Sequence, residues 1–134
     1  MNIKTKAFLL ITSGMSLLSP LSCREQIKFP EFNSQAWKSD AFACQSVRPQ
    51  LLADLEKIRL DLRGLRTTEI MSVLGKPDSE GLLANNERIY YYYVQAGEQC
   101  QNRQKLSGAN KLQVRFDALE RASEVNFEQP IAQP

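Results

Sequence analysis

Lys111-Leu-Gln-Val-Arg-Phe-Asp117 is the stretch that decides the fold, because apolar and polar residues alternate through it without interruption. In a strand of this sequence Leu112, Val114 and Phe116 lie on one face and the polar residues between them lie on the other. This pattern is typical of an antiparallel sheet that packs one face on a core and turns the other face toward water.

Two neighbouring segments extend the same sheet. Ala122–Phe127 repeats the alternation, and the four residues 118–121 between the two segments are short enough for a hairpin. Upstream, Glu87–Val94 is rich in aromatic and β-branched residues and predicts a third strand. The long polar segment Gln95–Asn110 separates it from the hairpin, and a loop of this length is often functional or tied to the rest of the domain.

Two helical regions precede the strands. Ala36–Leu62 carries an apolar stripe at helical spacing, with Pro49 marking a first turn or a kink. Leu65–Gly75 is a shorter helix that Gly75 ends and Pro77 cannot continue. The sequence therefore predicts an α+β domain over residues 36–127: a two-layer sandwich with two N-terminal helices packed on a three-stranded antiparallel sheet (ααβββ).

The N-terminus is typical of an exported protein. Lys4 and Lys6 precede the apolar run Ala7–Leu18, and small and turn-forming residues lead to Cys23. We interpret 1–22 as a lipoprotein-type signal peptide, Cys23 as the site of lipid attachment (including palmitate), and 23–35 as a lipid-anchored tether. The alternatives are simple secretion and, since the run is short for a span, an uncleaved anchor. Residues 128–134 are interpreted as a disordered C-terminal tail.

Composition excludes several functions. The chain has 17 basic and 15 acidic residues, and Lys4 and Lys6 account for the excess, so the part after the signal has no net charge and no basic stripe for nucleic acid. It contains no histidine, which removes histidine-dependent triads and most catalytic zinc sites. We expect no catalytic residues, no metal and no cofactor, and therefore no enzyme.

The cysteine count is consistent with export. With Cys23 assigned to lipid, Cys44 and Cys100 remain as an even pair. In an oxidising compartment they most simply form one disulfide, which would tie the long loop to the first helical region. Two buried free thiols are the alternative.

A set of residues spread along the domain carries a resemblance to a known family. They are Trp37-Lys38, Asp40, Cys44, Arg48, Leu62-x-Gly64, Glu69-Ile70, Leu74-Gly75-Lys-Pro77-Asp78, Tyr90–Tyr93, Cys100 and Val114-x-Phe116-Asp117. With the order of elements, they resemble the SmpA/OmlA-type (BamE-like) small bacterial lipoprotein domain. The resemblance extends over roughly residues 37–127, with Arg66 where that family usually has Thr or Ser and Leu119-Glu120 where it usually has Gly.

The resemblance implies a non-enzymatic interaction or scaffold module of the cell envelope, accessory to outer-membrane protein assembly. Arg24, rather than Asp, follows the cysteine, which by the usual lipoprotein sorting pattern indicates the outer membrane, facing the periplasm. Its partner is then an envelope protein of unknown identity. The alternative is a proteinaceous inhibitor of a periplasmic or extracellular hydrolase, because a β-lactamase inhibitor uses a related architecture.

The tyrosine run suggests where a partner binds. Four consecutive tyrosines in a strand cannot all face the core. We expect Ile89 and its face to pack on the helices, which leaves Tyr90 and Tyr92 beside Arg115 on the open face. Tyrosine and arginine are enriched among binding hot spots. The opposite facing, and a purely structural role in cross-strand packing, are the alternatives.

Overall fold

The chain forms an α+β domain, as predicted, but with more elements than the sequence indicated. A computed structural model describes residues 26–129 and 131. In this part of the chain no helix is long and apolar enough to cross a membrane. The α-helices are α1 (Ser34–Ser39), α2 (Leu52–Ile58) and α3 (Thr67–Leu74), and the strands are β1 (Ser79–Leu82), β2 (Arg88–Tyr93), β3 (Lys111–Phe116) and β4 (Ala122–Phe127). The strands form one open antiparallel sheet in the order β1-β2-β3-β4.

The prediction of three strands was wrong, because β1 adds a fourth at the edge of the sheet. Its sequence, Ser-Glu-Gly-Leu, has low intrinsic strand preference and no alternation. Pairing with β2 makes it a strand: Ser79 lies opposite Tyr91, and the Asp78 backbone N–H donates to the Tyr91 carbonyl at 2.9 Å. Because β1 is short and depends on pairing with β2, its own sequence contains little indication of a strand.

The first helical region is also broken, so that there are three α-helices where two were predicted. Between α1 and α2 lie two 3-10 turns, Ala41–Ala43 and Arg48–Leu51, and Pro49 is the second residue of the later turn. The buried carboxylate of Asp40 stabilises the break by accepting backbone N–H bonds from Gln45, Val47 and Arg48 at 2.7, 2.8 and 3.0 Å. Side-chain capping of this kind competes directly with a continuous helix.

α3 follows the predicted segment closely. The Arg66 backbone N–H donates to Glu69 Oε2 at 2.7 Å, which satisfies one exposed donor at the helix start. Gly75 ends the helix with a φ of 81°, a conformation that suits glycine. The last carbonyls, of Ser72 and Val73, accept bonds from Lys38 Nζ and Ser34 Oγ of α1. These bonds connect side chains of α1 to the C-terminal end of α3.

The helices cover one face of the sheet, here called the inner face, and this orientation corrects a prediction. Tyr90, Tyr92 and Val94 point into the core, whereas Ile89, Tyr91 and Tyr93 lie on the opposite, outer face. The reason is the pairing register, which places Tyr90 opposite Val114 and Tyr92 opposite Leu112, both on the apolar face of β3. The core contains Phe32, Trp37, Leu55, Ile58, Leu62, Ile70, Val73, Leu74, Tyr90, Tyr92, Val94, Leu112, Val114, Phe116, Ala122 and Val125.

Residues that precede α1 also contact the core. Phe32 is buried, with its ring centroid 5.8 Å from that of Trp37, and Ile27 and Phe29 pack against the core. At the other end, the Gln129 backbone N–H donates to Asn110 Oδ1 at 3.0 Å. Residues 130 and 132–134 of the predicted tail lie outside the described residues.

Candidate binding surfaces

A buried ion pair holds the broken helical region against the sheet. Arg48 Nη1 lies 2.5 Å from Asp78 Oδ2, and each side chain is only 1% exposed. Arg48 also donates to the carbonyls of Trp37 and Tyr93 at 3.2 and 3.0 Å, and its guanidinium lies 4.5 Å from the centre of the Trp37 ring. Asp78 in turn accepts the backbone N–H groups of Phe42 and Tyr93.

The charged groups of this cluster form hydrogen bonds within the fold. Two carboxylates, Asp40 and Asp78, and one guanidinium, Arg48, are withdrawn from water together. Each carboxylate accepts several hydrogen bonds, which offsets part of the cost of removing an ion from water. The cluster therefore fixes residues 40–48 to β1 and β2.

The loop 95–110 is tied down at the same end of the sheet. The predicted disulfide is confirmed: Cys44 and Cys100 are bonded, with a Cα–Cα distance of 5.7 Å. Gln99, fully buried, donates to the carbonyls of Phe42 and Gln95 at 3.0 and 2.7 Å and accepts from Ser107 Oγ. Contacts of Gln99, Cys100 and Ser107 therefore hold the long loop on both sides of residues 101–106.

This bracing divides the outer face of the sheet into two halves. In the half that we call the locked half, Tyr93 and Lys111 are each 1% exposed. The Phe42 ring stacks on Tyr93 at 6.4 Å, Ser107 donates its backbone N–H to the Tyr93 hydroxyl, and Lys111 Nζ donates to the Ser107 carbonyl.

The other half, here called the open half, is only partly covered. Cross-strand pairing aligns Tyr91 with Gln113 and Gln113 with Asn126, and aligns Arg115 with Glu124. The side chains of Arg115 and Glu124 are 37% and 52% exposed, with Arg115 Nη1 3.3 Å from Glu124 Oε1. Aromatic, amide and charged groups therefore meet on one accessible surface, a mixture that suits protein recognition.

Of the three residues predicted to bind a partner, the structure brings only Arg115 to this surface. Tyr92 is fully buried, and its hydroxyl donates to the Gly75 carbonyl at 3.0 Å, while the Tyr90 ring packs edge-on against Phe116 at 4.8 Å. Burial raises the pKa of Tyr92 because it disfavours the charged phenolate. The predicted facing was wrong. Matching the tyrosine run to the apolar face of β3 would have identified Tyr91 instead.

A second candidate surface is a cleft in the helical layer. A cleft of about 710 Å³ opens between the segment 26–35 and the end of α3. Its apolar wall includes Ile27, Phe29 and Val73, and Lys28 and Lys38 stand at its exposed rim. Cys23, the predicted lipid site, lies outside the described residues, three positions before the first residue of this cleft.

Within residues 26–129 and 131, no group of three or more His, Cys, Asp or Glu side chains is arranged to hold a metal ion. Comparison with models of protein families, with characterised proteins and with solved structures finds no match to this chain.

Proposed function

We propose that this chain is a membrane-tethered, non-enzymatic lipoprotein of the cell envelope that binds a protein partner through the open half of its sheet. The observation that carries the proposal is the division of the outer face: other residues bury one half, and the other half presents Tyr91, Gln113 and Arg115 at partly exposed positions of the same hydrogen-bonded sheet. Pre-ordered surfaces bind with less loss of conformational entropy.

The proposed location rests on the N-terminal pattern and gains support from the disulfide. A basic start, an apolar run and Cys23 together are typical of lipoprotein export. A Cys44–Cys100 bond is typical of a protein that folds in an oxidising compartment. The resemblance to the SmpA/OmlA-type domain agrees with an accessory role in outer-membrane protein assembly, facing the periplasm.

Intact mass spectrometry of the full chain recovered from a membrane fraction tests the tether. We expect a mature protein that begins at Cys23 and carries lipid on that residue, and we expect Cys23→Ser to block this processing. A mature protein that begins elsewhere, or that carries Cys23 unmodified, would contradict the tether.

Co-purification from cells tests the binding surface. We expect the double variant Tyr91→Ala, Gln113→Ala to lose its partner while the protein still accumulates. The matched control is Thr68→Ala with Gln45→Ala, two exposed positions outside the sheet, which should leave recovery unchanged. Equal recovery of the same partner with both double variants would contradict this surface.

Inhibition of a hydrolase is the second candidate, favoured by the braced loop. Residues 101–106 are all exposed between Cys100 and buried Ser107, and Leu106 is 51% exposed. A loop that is held at both ends and exposes an apolar side chain is suited to entering an active site. Stoichiometric inhibition of a β-lactamase or muramidase, lost in Leu106→Asp but kept in the control Leu119→Asp, would favour this function over the first.

A further inference from the structure

The cleft in the helical layer combines basic groups with apolar side chains that the core covers only in part. Ile27 and Phe29 are half-buried, so part of each side chain remains accessible at the cleft. Lys28 and Lys38 are exposed at its rim, and Lys38 Nζ also donates to the Ser72 carbonyl. Apolar side chains flanked by lysines are typical of surfaces that lie at the boundary of an anionic bilayer.

The position of the cleft along the chain points to the same occupant. Covalent geometry alone limits the Cα of Cys23 to within about 11 Å of the Cα of Gln26, which lines the cleft. The polar headgroup layer on each side of a bilayer is about 5–7 Å thick. A lipid on Cys23 therefore keeps this cleft close to the headgroups.

We propose that the cleft is a docking surface for anionic phospholipid, which sets the orientation of the domain on the membrane. The apolar side chains lie at the headgroup boundary and the two lysines pair with lipid phosphates. The cleft belongs to the helical layer and the open half belongs to the far face of the sheet, so docking turns Tyr91 and Gln113 away from the bilayer. The proposal rests on the proposed lipid anchor.

The fluorescence of Trp37 can report docking, because Trp37 is the only tryptophan in the sequence. Its ring lies 5.8 Å from that of Phe32, which lines the cleft. The full processed protein would be reconstituted in vesicles of phosphatidylethanolamine with phosphatidylglycerol, or of phosphatidylcholine alone, each with a nitroxide-labelled headgroup lipid. We expect strong quenching of Trp37 fluorescence in the anionic vesicles and weak quenching in the neutral ones.

Charge variants test the lysines. Each lysine near an anionic surface contributes about fivefold to its affinity for that surface, so Lys28→Gln with Lys38→Gln should lower the docked-to-undocked ratio about 25-fold. The control, Arg103→Gln with Lys105→Gln, removes the same charge from the exposed loop residues 101–106 and should retain quenching. Lys28→Gln alone keeps the Lys38–Ser72 hydrogen bond and should still lower the ratio about fivefold, which separates docking from loss of fold.

The outcomes for anchor and docking are distinguishable. Mass spectrometry of the same sample reports the lipid on Cys23, and quenching reports the docking. Lipidated protein whose Trp37 is unquenched, or quenched equally in neutral and anionic vesicles, overturns the docking surface and leaves the cleft to a protein partner or a second copy. Unmodified Cys23 with charge-dependent quenching overturns the anchor alone.

Discussion

The two halves of the outer sheet face differ in what covers them, although the same strands build both. Tyr91 and Tyr93 are two residues apart on β2, yet Tyr93 is 1% exposed while Tyr91 is only half-buried. The difference arises from residues 40–48 and 95–110, which a disulfide and a buried ion pair hold over Tyr93. Strand position alone therefore does not decide which part of a sheet can bind a partner.

The largest expected effect comes from breaking the buried ion pair in the locked half. Arg48→Met leaves Asp78 as a buried carboxylate without its counter-charge, and removing one partner of such a pair typically costs about 3–5 kcal/mol. The free energy of unfolding from urea titration would measure it.

The matched control is Arg115→Met in the open half, where the side chain is 37% exposed. It should change the free energy of unfolding by less than about 0.5 kcal/mol. Equal losses in the two variants would mean that the halves are not energetically distinct.

Removing the disulfide should have the next largest effect. The bond closes a separation of 56 residues, for which the chain-entropy estimate gives about 4 kcal/mol. In Cys44→Ser with Cys100→Ser we expect lower urea stability and faster hydrogen exchange at the amides of the loop 95–110.

The exchange at Gln113 and Arg115 in that double variant serves as the internal reference. These amides should remain protected until global unfolding, because strand pairing in β3 does not need the loop. Faster exchange there, at the same rate as in the loop, would argue against separate halves.

A smaller effect is expected at the end of α3. Gly75→Ala places a Cβ at a φ of 81° and 3.0 Å from Lys38 Cγ. This backbone conformation, with a ψ of −173°, is essentially restricted to glycine and costs about 1–3 kcal/mol for a residue with a side chain. The control is Gly108→Ala, where a Cβ would meet open space. Thermal unfolding should show a lower midpoint for the first variant only, and a similar loss in both would contradict this explanation.

Much of the fold could be predicted because its signals are local. β3 and β4 alternate along their own sequences, and Gly75 with Pro77 marks the end of α3. β1 could not be predicted, since pairing with β2 creates it, and the break after α1 depends on a carboxylate, Asp40, that bonds to backbone five to eight residues away.

In the candidate site, too, the features with local sequence signals could be predicted and those that depend on distant contacts could not. Arg115 was placed correctly because the alternation of β3 is unambiguous. The run Tyr90–Tyr93 contains no such alternation, so its facing depends on which residues of β3 it pairs with. Phe42 and Ser107 cover Tyr93 although they are distant from it in the sequence. Contacts of this kind produce no recognisable pattern in the sequence of the segments that make them.

Site-specific photo-crosslinking in cells tests the central claim, that the open half binds the partner, most directly. A photoreactive phenylalanine would replace Gln113 or Asn126 in the full chain and, as a control, exposed Thr68 on α3. We predict one discrete protein adduct from the two positions in the open half and none from Thr68. The same adduct from Thr68 alone, or from all three positions with equal yield, would contradict the account.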